Sequence, residues 1–223
     1  MTATLTHPWL IWDLGKPHAC LSFAPYRGGF VSAQQIAWRE VRNADLPPDF
    51  DVISWLEGQV DERLDQADQA IAMLTSRDIR FHHFDTAVVG QTKAEALVTL
   101  GLSNAERIGH RRLARPEEYG TINIAARLNQ CLSETAMIEA LTIMAEARTA
   151  AVMEARYEVM VSGAPVIATG TGTDCLTLAC VQGEDRHHAY AGLHTEIGHA
   201  LGRVVYDAVR TACDTYLSEE ATA

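Results

Sequence analysis

From Ile197 to Tyr216 the apolar residues fall on one side of a helix: Ile197, Leu201, Val204, Val205, Ala208, Val209, Ala212 and Tyr216. A helix with one apolar stripe is stable only when that stripe is buried against a second layer. A second helix is predicted from Ser133, an N-cap residue, with Glu134 in its first turn. It runs to about Ala155, and its core stripe is Met137, Leu141, Met144, Ala145, Ala151 and Val152. The other layer must come from strands. Trp9–Leu14 and Ala19–Ala24 read as short apolar strands joined by a hairpin turn at Gly15-Lys16-Pro17. Ile36–Arg42, Phe84–Gly90 and Ala96–Leu102 read as further strands, and Cys175–Val181 as a buried one. Thr121–Gln130 alternates, with Ile122, Ile124, Ala126 and Leu128 on one face and Thr121, Asn123, Arg127 and Asn129 on the other. That pattern predicts a half-buried strand with a polar second face. Val52–Leu74 has helical spacing, predicting one or two helices, and Leu46-Pro47-Pro48-Asp49 before it is the strongest breaker. Strands cluster before helices without regular βαβ alternation. The expected fold is therefore α+β: one layered domain over 1–223, a mixed or mostly antiparallel sheet packed against helices, including a long C-terminal one.

Composition narrows the function. The net charge of −11 argues against a nucleic-acid partner. The basic residues Arg107, His110, Arg111, Arg112 and Arg115 form only a local cluster, read as a solvated loop. Five cysteines, none in a C-x-x-C pair, predict reduced buried thiols, not a zinc ribbon or a disulfide framework. The run Trp9 to Trp12 is too short for a signal core or a membrane span, so a cytoplasmic protein with no membrane partner is expected. The residues after Leu217 are expected to be disordered.

Three strings carry groups able to do chemistry. In Thr169-Gly170-Thr171-Gly172-Thr173-Asp174 two glycines free the backbone, and three hydroxyls and a carboxylate project from one short loop. The string matches neither a phosphate loop nor a dinucleotide fingerprint, and the same residues also suit a plain turn. Tyr190-Ala191-Gly192-Leu193-His194-Thr195-Glu196-Ile197-Gly198 places a histidine just before a helix, where it serves as an acid or base or simply as a cap. His194 and His199 lie about 140° apart round a helix and share no face, so no metal site is expected there. Gly101-Leu102-Ser103-Asn104-Ala105 offers an Asn that makes an Asx turn or binds an amide; Asn123 and Asn129 carry the same ambiguity. No nucleophile elbow is present, and Cys175 sits in an apolar run where thiols are inert.

Taken in order, the Gly101–Ala105 string, Thr121-Ile122-Asn123-Ile124, the Ala-rich helix from Ser133, the Thr169–Asp174 string and the Tyr190–Gly198 string resemble the adenosylcobinamide amidohydrolase family. The resemblance spans roughly residues 80–212, and the Gly28-Gly29 pair is similar to the family's early loop. It implies hydrolysis of the amide joining aminopropanol to the corrin ring, which turns adenosylcobinamide into adenosylcobyric acid for cobalamin salvage. It implies a small-molecule corrinoid as partner, whose cobalt arrives inside the substrate; no resident metal or cofactor is expected, because no Cys/His/carboxylate cluster has ligand spacing. A homo-oligomer is compatible with the sequence.

Amide hydrolysis needs an activated attacking group, a donor for the oxyanion and an acid for the leaving amine. Asp174 and His194 are the candidates for activation, and Thr171 and Thr173 for donation. Asn104, Asn123, Asn129, Thr169, Gly170, Gly172 and Thr195 are the candidates for binding substrate. If these act together, the Thr169–Asp174 loop must lie beside the helix start at His194 and Thr195. Two other readings share the residues: a corrinoid-binding protein without hydrolysis, and an amidase with another substrate.

Overall fold

The computed structural model describes residues 2–42, 50–110, 120–183 and 187–222. The breaker at Leu46–Asp49 and the arginines Arg111, Arg112 and Arg115 lie outside them. The strands are β1 (Thr2–Thr6), β2 (Trp9–Ser22), β3 (Gly29–Glu40), β4 (Ala70–Thr75), β5 (His82–Val89), β6 (Thr92–Leu100), β7 (Ala105–Glu106), β8 (Ile122–Leu128), β9 (Glu158–Val161), β10 (Ala164–Ile167), β11 (Gly170–Thr171) and β12 (Cys175–Val181). The α-helices are α1 (Val52–Arg63), α2 (Glu134–Ala155) and α3 (Glu196–Glu220). The main sheet is mixed, in the order β4-β3-β2-β12-β8-β6-β5, with β1 also paired to β2. The architecture is α+β, as the sequence predicts.

The sheet is strongly curled. Neighbouring strands lie about 4.8 Å apart, so β4 and β8, four intervals apart, would be about 19 Å apart in a flat sheet. Instead Asn123 of β8 donates its side-chain amide to Leu74 O of β4 at 2.6 Å. Trp12 of β2 and Phe84 of β5, also four intervals apart, meet edge to face at 6.0 Å between ring centroids. The enclosed side is filled by a core that includes Leu10, Trp12, Ile36, Trp38, Ile71 and Met73. The outer side carries the helices. Leu56 and Val60 of α1 cover Ala37, Ala70 and Ala72 of β3 and β4, and the stripes of α2 and α3 cover β6, β8 and β12.

Four local expectations are corrected. Trp9–Ser22 is one strand, not a hairpin: it bulges between Asp13 and His18. There Gly15 takes φ +81° and donates its N–H to Asp13 Oδ1 at 2.7 Å. The helical spacing after Arg63 misleads, because Ile71 and Leu74 belong to β4, where pairing with β3 outweighs local periodicity. The second face of β8 is not solvated, since Asn123 and Ala125 are fully buried under the curl. Beyond Leu217 the chain stays helical to Glu220. That end is pinned by Arg77, which pairs with Glu219 at 2.8 Å and lies 4.5 Å over the Phe81 ring.

The connection β8–α2–β12 places two parallel strands side by side with a helix crossing between them. β8 carries the chain to one end of the sheet and α2 brings it back. The segment before β12 is therefore delivered to the end where β8 and β12 begin. Ser133 caps α2 by accepting from Ala136 N, and Thr195 caps α3 by accepting from Gly198 N. Both helices start at the opposite end of the sheet. Among the described residues no helix is long and apolar enough to cross a membrane.

Candidate active site

The Thr169–Asp174 loop is held on three sides. β11 pairs with β7, setting Gly170 against Glu106 and Thr171 against Ala105. Gly172 N donates to Asn104 O at 3.0 Å. Thr173 Oγ1 donates to Gly120 O at 3.0 Å, and Thr121 Oγ1 donates back to Thr173 O at 2.8 Å. Gly120 has no room for a side chain, because a Cβ would stand 2.6 Å from Asn104 N.

Asp174 is the hub of the loop. Its carboxylate accepts from Thr171 N at 3.1 Å, from Thr171 Oγ1 and from Ile122 N at 3.3 Å. It also forms an ion pair with Arg148, which reaches in from α2. The two side chains are only 9% and 16% exposed. Burial pulls the Arg148 guanidinium below its ordinary pKa, so the carboxylate beside it is what keeps the charge acceptable there. A Cβ at Gly170 would run into both the guanidinium and the carboxylate, so glycine is required at this position.

Above this pair opens a cleft of about 670 Å³. One wall runs from Asn104 through Glu106, Arg107, Ile108 and Gly109 to His110; the other is the loop from Thr169 to Thr173, with Arg148 and Thr149 of α2 between them. Arg107 Nη1 donates to Ile167 O at 3.1 Å, which ties one wall to the β9–β10 hairpin. The volume is that of a small-molecule site. It brings carboxylates, guanidinia, an imidazole, an amide and hydroxyls to one place.

Asn104, Thr169, Gly170, Thr171, Gly172 and Thr173 line this cleft, and Asp174 lies just beneath. The threonine hydroxyls chiefly brace the loop: Thr169 Oγ1 accepts from Ile108 N at 2.8 Å, and Thr171 and Thr173 bind as described above. Asn123 is fully buried and donates to Leu74 O, with its Oδ1 3.2 Å from Thr121 Oγ1, so it closes the sheet instead of facing a ligand. Asn129 binds Lys93 N at 2.7 Å and Gln91 O at 3.0 Å, at the far end of β8. His194 and Thr195 are at that end too, because Glu196 accepts from Gln91 N at 3.0 Å in the β5–β6 turn. The expected meeting of the loop with the α3 start is therefore overturned. The two are separated by the length of β8, about 20 Å at 3.3 Å per residue. The reason is the direction of α3, which begins where β8 and β12 end.

The sequence reading missed Arg148, Glu106 and Thr149, and took Arg107 and His110 for solvated loop residues. The single Arg inside the Ala-rich helix was the available signal, since in α2 it is half-buried and paired with Asp174. Cys175 is buried in β12, and that burial pushes its thiol up to about 12.

The model of the CbiZ family, adenosylcobinamide amidohydrolase, matches residues 1–221. The chain belongs to this family. The match takes in the curled N-terminal strands as well as the loop and helices. The chain is also 33% identical over 94 residues to an uncharacterized protein of Methanocaldococcus jannaschii, MJ1613, covering 42% of this chain and 36% of that one. The match thus spans about a third of that relative's length. Among solved structures, the PH0078 protein from Pyrococcus horikoshii OT3 aligns at a TM-score of 0.45 and 8% identity, covering 92% of this chain and 76% of that one.

Proposed function

We propose that this amidohydrolase-family protein cleaves the aminopropanol amide of adenosylcobinamide to give adenosylcobyric acid. The observation that carries the reading is the cleft itself. It is built on Thr169–Asp174, a string specific to the family resemblance, and it gathers an acid–base set around a buried guanidinium. The substrate's amide arm enters the cleft while the corrin macrocycle stays at its mouth. Glu106 takes a proton from water as its oxygen adds to the carbonyl carbon. Arg148, held by Asp174, faces the oxyanion that develops. His110 gives the leaving nitrogen its proton as the C–N bond breaks. Asp174 acts through Arg148, because its own oxygens are already occupied. The cobalt is part of the substrate.

The test is mass spectrometry of adenosylcobinamide incubated with the purified protein in H₂¹⁸O. Free aminopropanol and adenosylcobyric acid carrying one ¹⁸O are expected. Intact adenosylcobinamide retained on the protein would replace this reading with the corrinoid-binding one.

A further inference from the structure

The Tyr190–Gly198 string carries the family resemblance as the cleft loop does, yet it lies at the other end of the sheet. Tyr190 and Leu193 are 72% and 63% exposed. Leu193 stands at the end of a groove of about 540 Å³ between α2 and α3. The helices run in the same direction there, and they approach closely because Gly202 faces Ile143; a Cβ at Gly202 would already touch Ile143 Cγ2 at 3.4 Å. The floor is apolar, formed by Ile143, Ala147 and Ala150 with Gly198 and Gly202.

The two rims of the groove carry opposite charge. On the α2 rim stands Glu146, which has no ion pair among the described residues. On the α3 rim stand His199 and Arg203, the latter 65% exposed and only loosely paired with Asp207 at 3.5 Å. We propose that this groove is the docking surface for a second copy of the chain. In a symmetric dimer the two-fold axis lies in the plane of contact. An axis across the groove would set α2 on α2 and Glu146 against its own copy. An axis along the groove sets α2 on the partner's α3 and Glu146 against the partner's Arg203, twice. The second arrangement buries the apolar floors on each other and neutralises both rims. Both halves of the charge complement are present on one chain, and this selects a second copy over a different protein.

The experiment is sedimentation of the full chain through a dilution series, using the wild type and the variants Glu146→Arg and Arg203→Glu. The wild type should be dimeric. Each single variant should weaken the dimer about tenfold or more, since it places like charges together twice. Mixing the two variants should restore dimer, because each then offers the charge the other lacks. That restoration also shows that both variants are folded. A wild type that is monomeric at every concentration, a dimer indifferent to both changes, or a mixture no tighter than its parts would each overturn the proposal.

Discussion

At Gly170 the missing side chain matters more than any hydroxyl of the loop. The Arg148 guanidinium and the Asp174 carboxylate occupy the space a Cβ would need. Gly170→Ala should therefore part them and lower turnover by about a hundredfold, the scale of a misplacement of about 1 Å in a reacting group. Asp174→Asn should lower turnover similarly and cost about 3 kcal/mol of stability, because it leaves a buried guanidinium without its counter-charge. His194→Ala should leave turnover close to that of wild type, because His194 lies a strand's length from the cleft. Steady-state aminopropanol release, measured beside the thermal midpoint for all three, checks this set. A large loss from His194→Ala with an unchanged midpoint would return that histidine to the chemistry.

Single elements here serve two surfaces. α2 turns Arg148 inward to the cleft and Glu146 outward to the groove, which are roughly opposite directions two residues apart on a helix. β6 and β8 set Glu95 directly opposite Arg127, with Lys93 next on the same face. Burial alone would push Glu95 upward, but hydrogen bonds from Lys93 at 2.8 Å and from Arg127 at 2.8 Å outweigh it and hold the carboxyl below its ordinary range. A depressed carboxyl adds stability above the unfolded value, about 4.3 for Glu, and loses it as pH falls through the lower folded value. Urea unfolding at neutral pH and at acid pH should thus show Glu95→Gln less stable than wild type at neutral pH. The gap should close in the acid window below about 4.3. A gap that stays constant with pH would show that the pair's contribution does not depend on ionisation.

On the scale of the whole molecule, the curl of the sheet is the organising event. Asn123 holds it across four strand intervals with one amide. Asn123→Ala would leave Leu74 O without that donor, at a cost of about 1–3 kcal/mol. The denaturation midpoint should drop while the slope stays constant, as one cooperative unit requires. The sequence alone was enough for α2 and α3, because Ser133 and Thr195 are local caps and each stripe repeats at helical spacing. It was enough, too, for the strands with unbroken apolar runs, such as β12, and for the family through its ordered strings. It misread β4 and the second face of β8, because pairing partners and closure come from residues far away in the chain. The cleft followed the same division. The Thr169–Asp174 loop stood out by composition. That its carboxylate is matched by Arg148, and that His194 lies a strand's length away, depended on chain direction. Caps and periodicity act within a few residues and can be read from them. The meeting of α2 with the loop is set by the path of β8–α2–β12, which exists only once the sheet has formed.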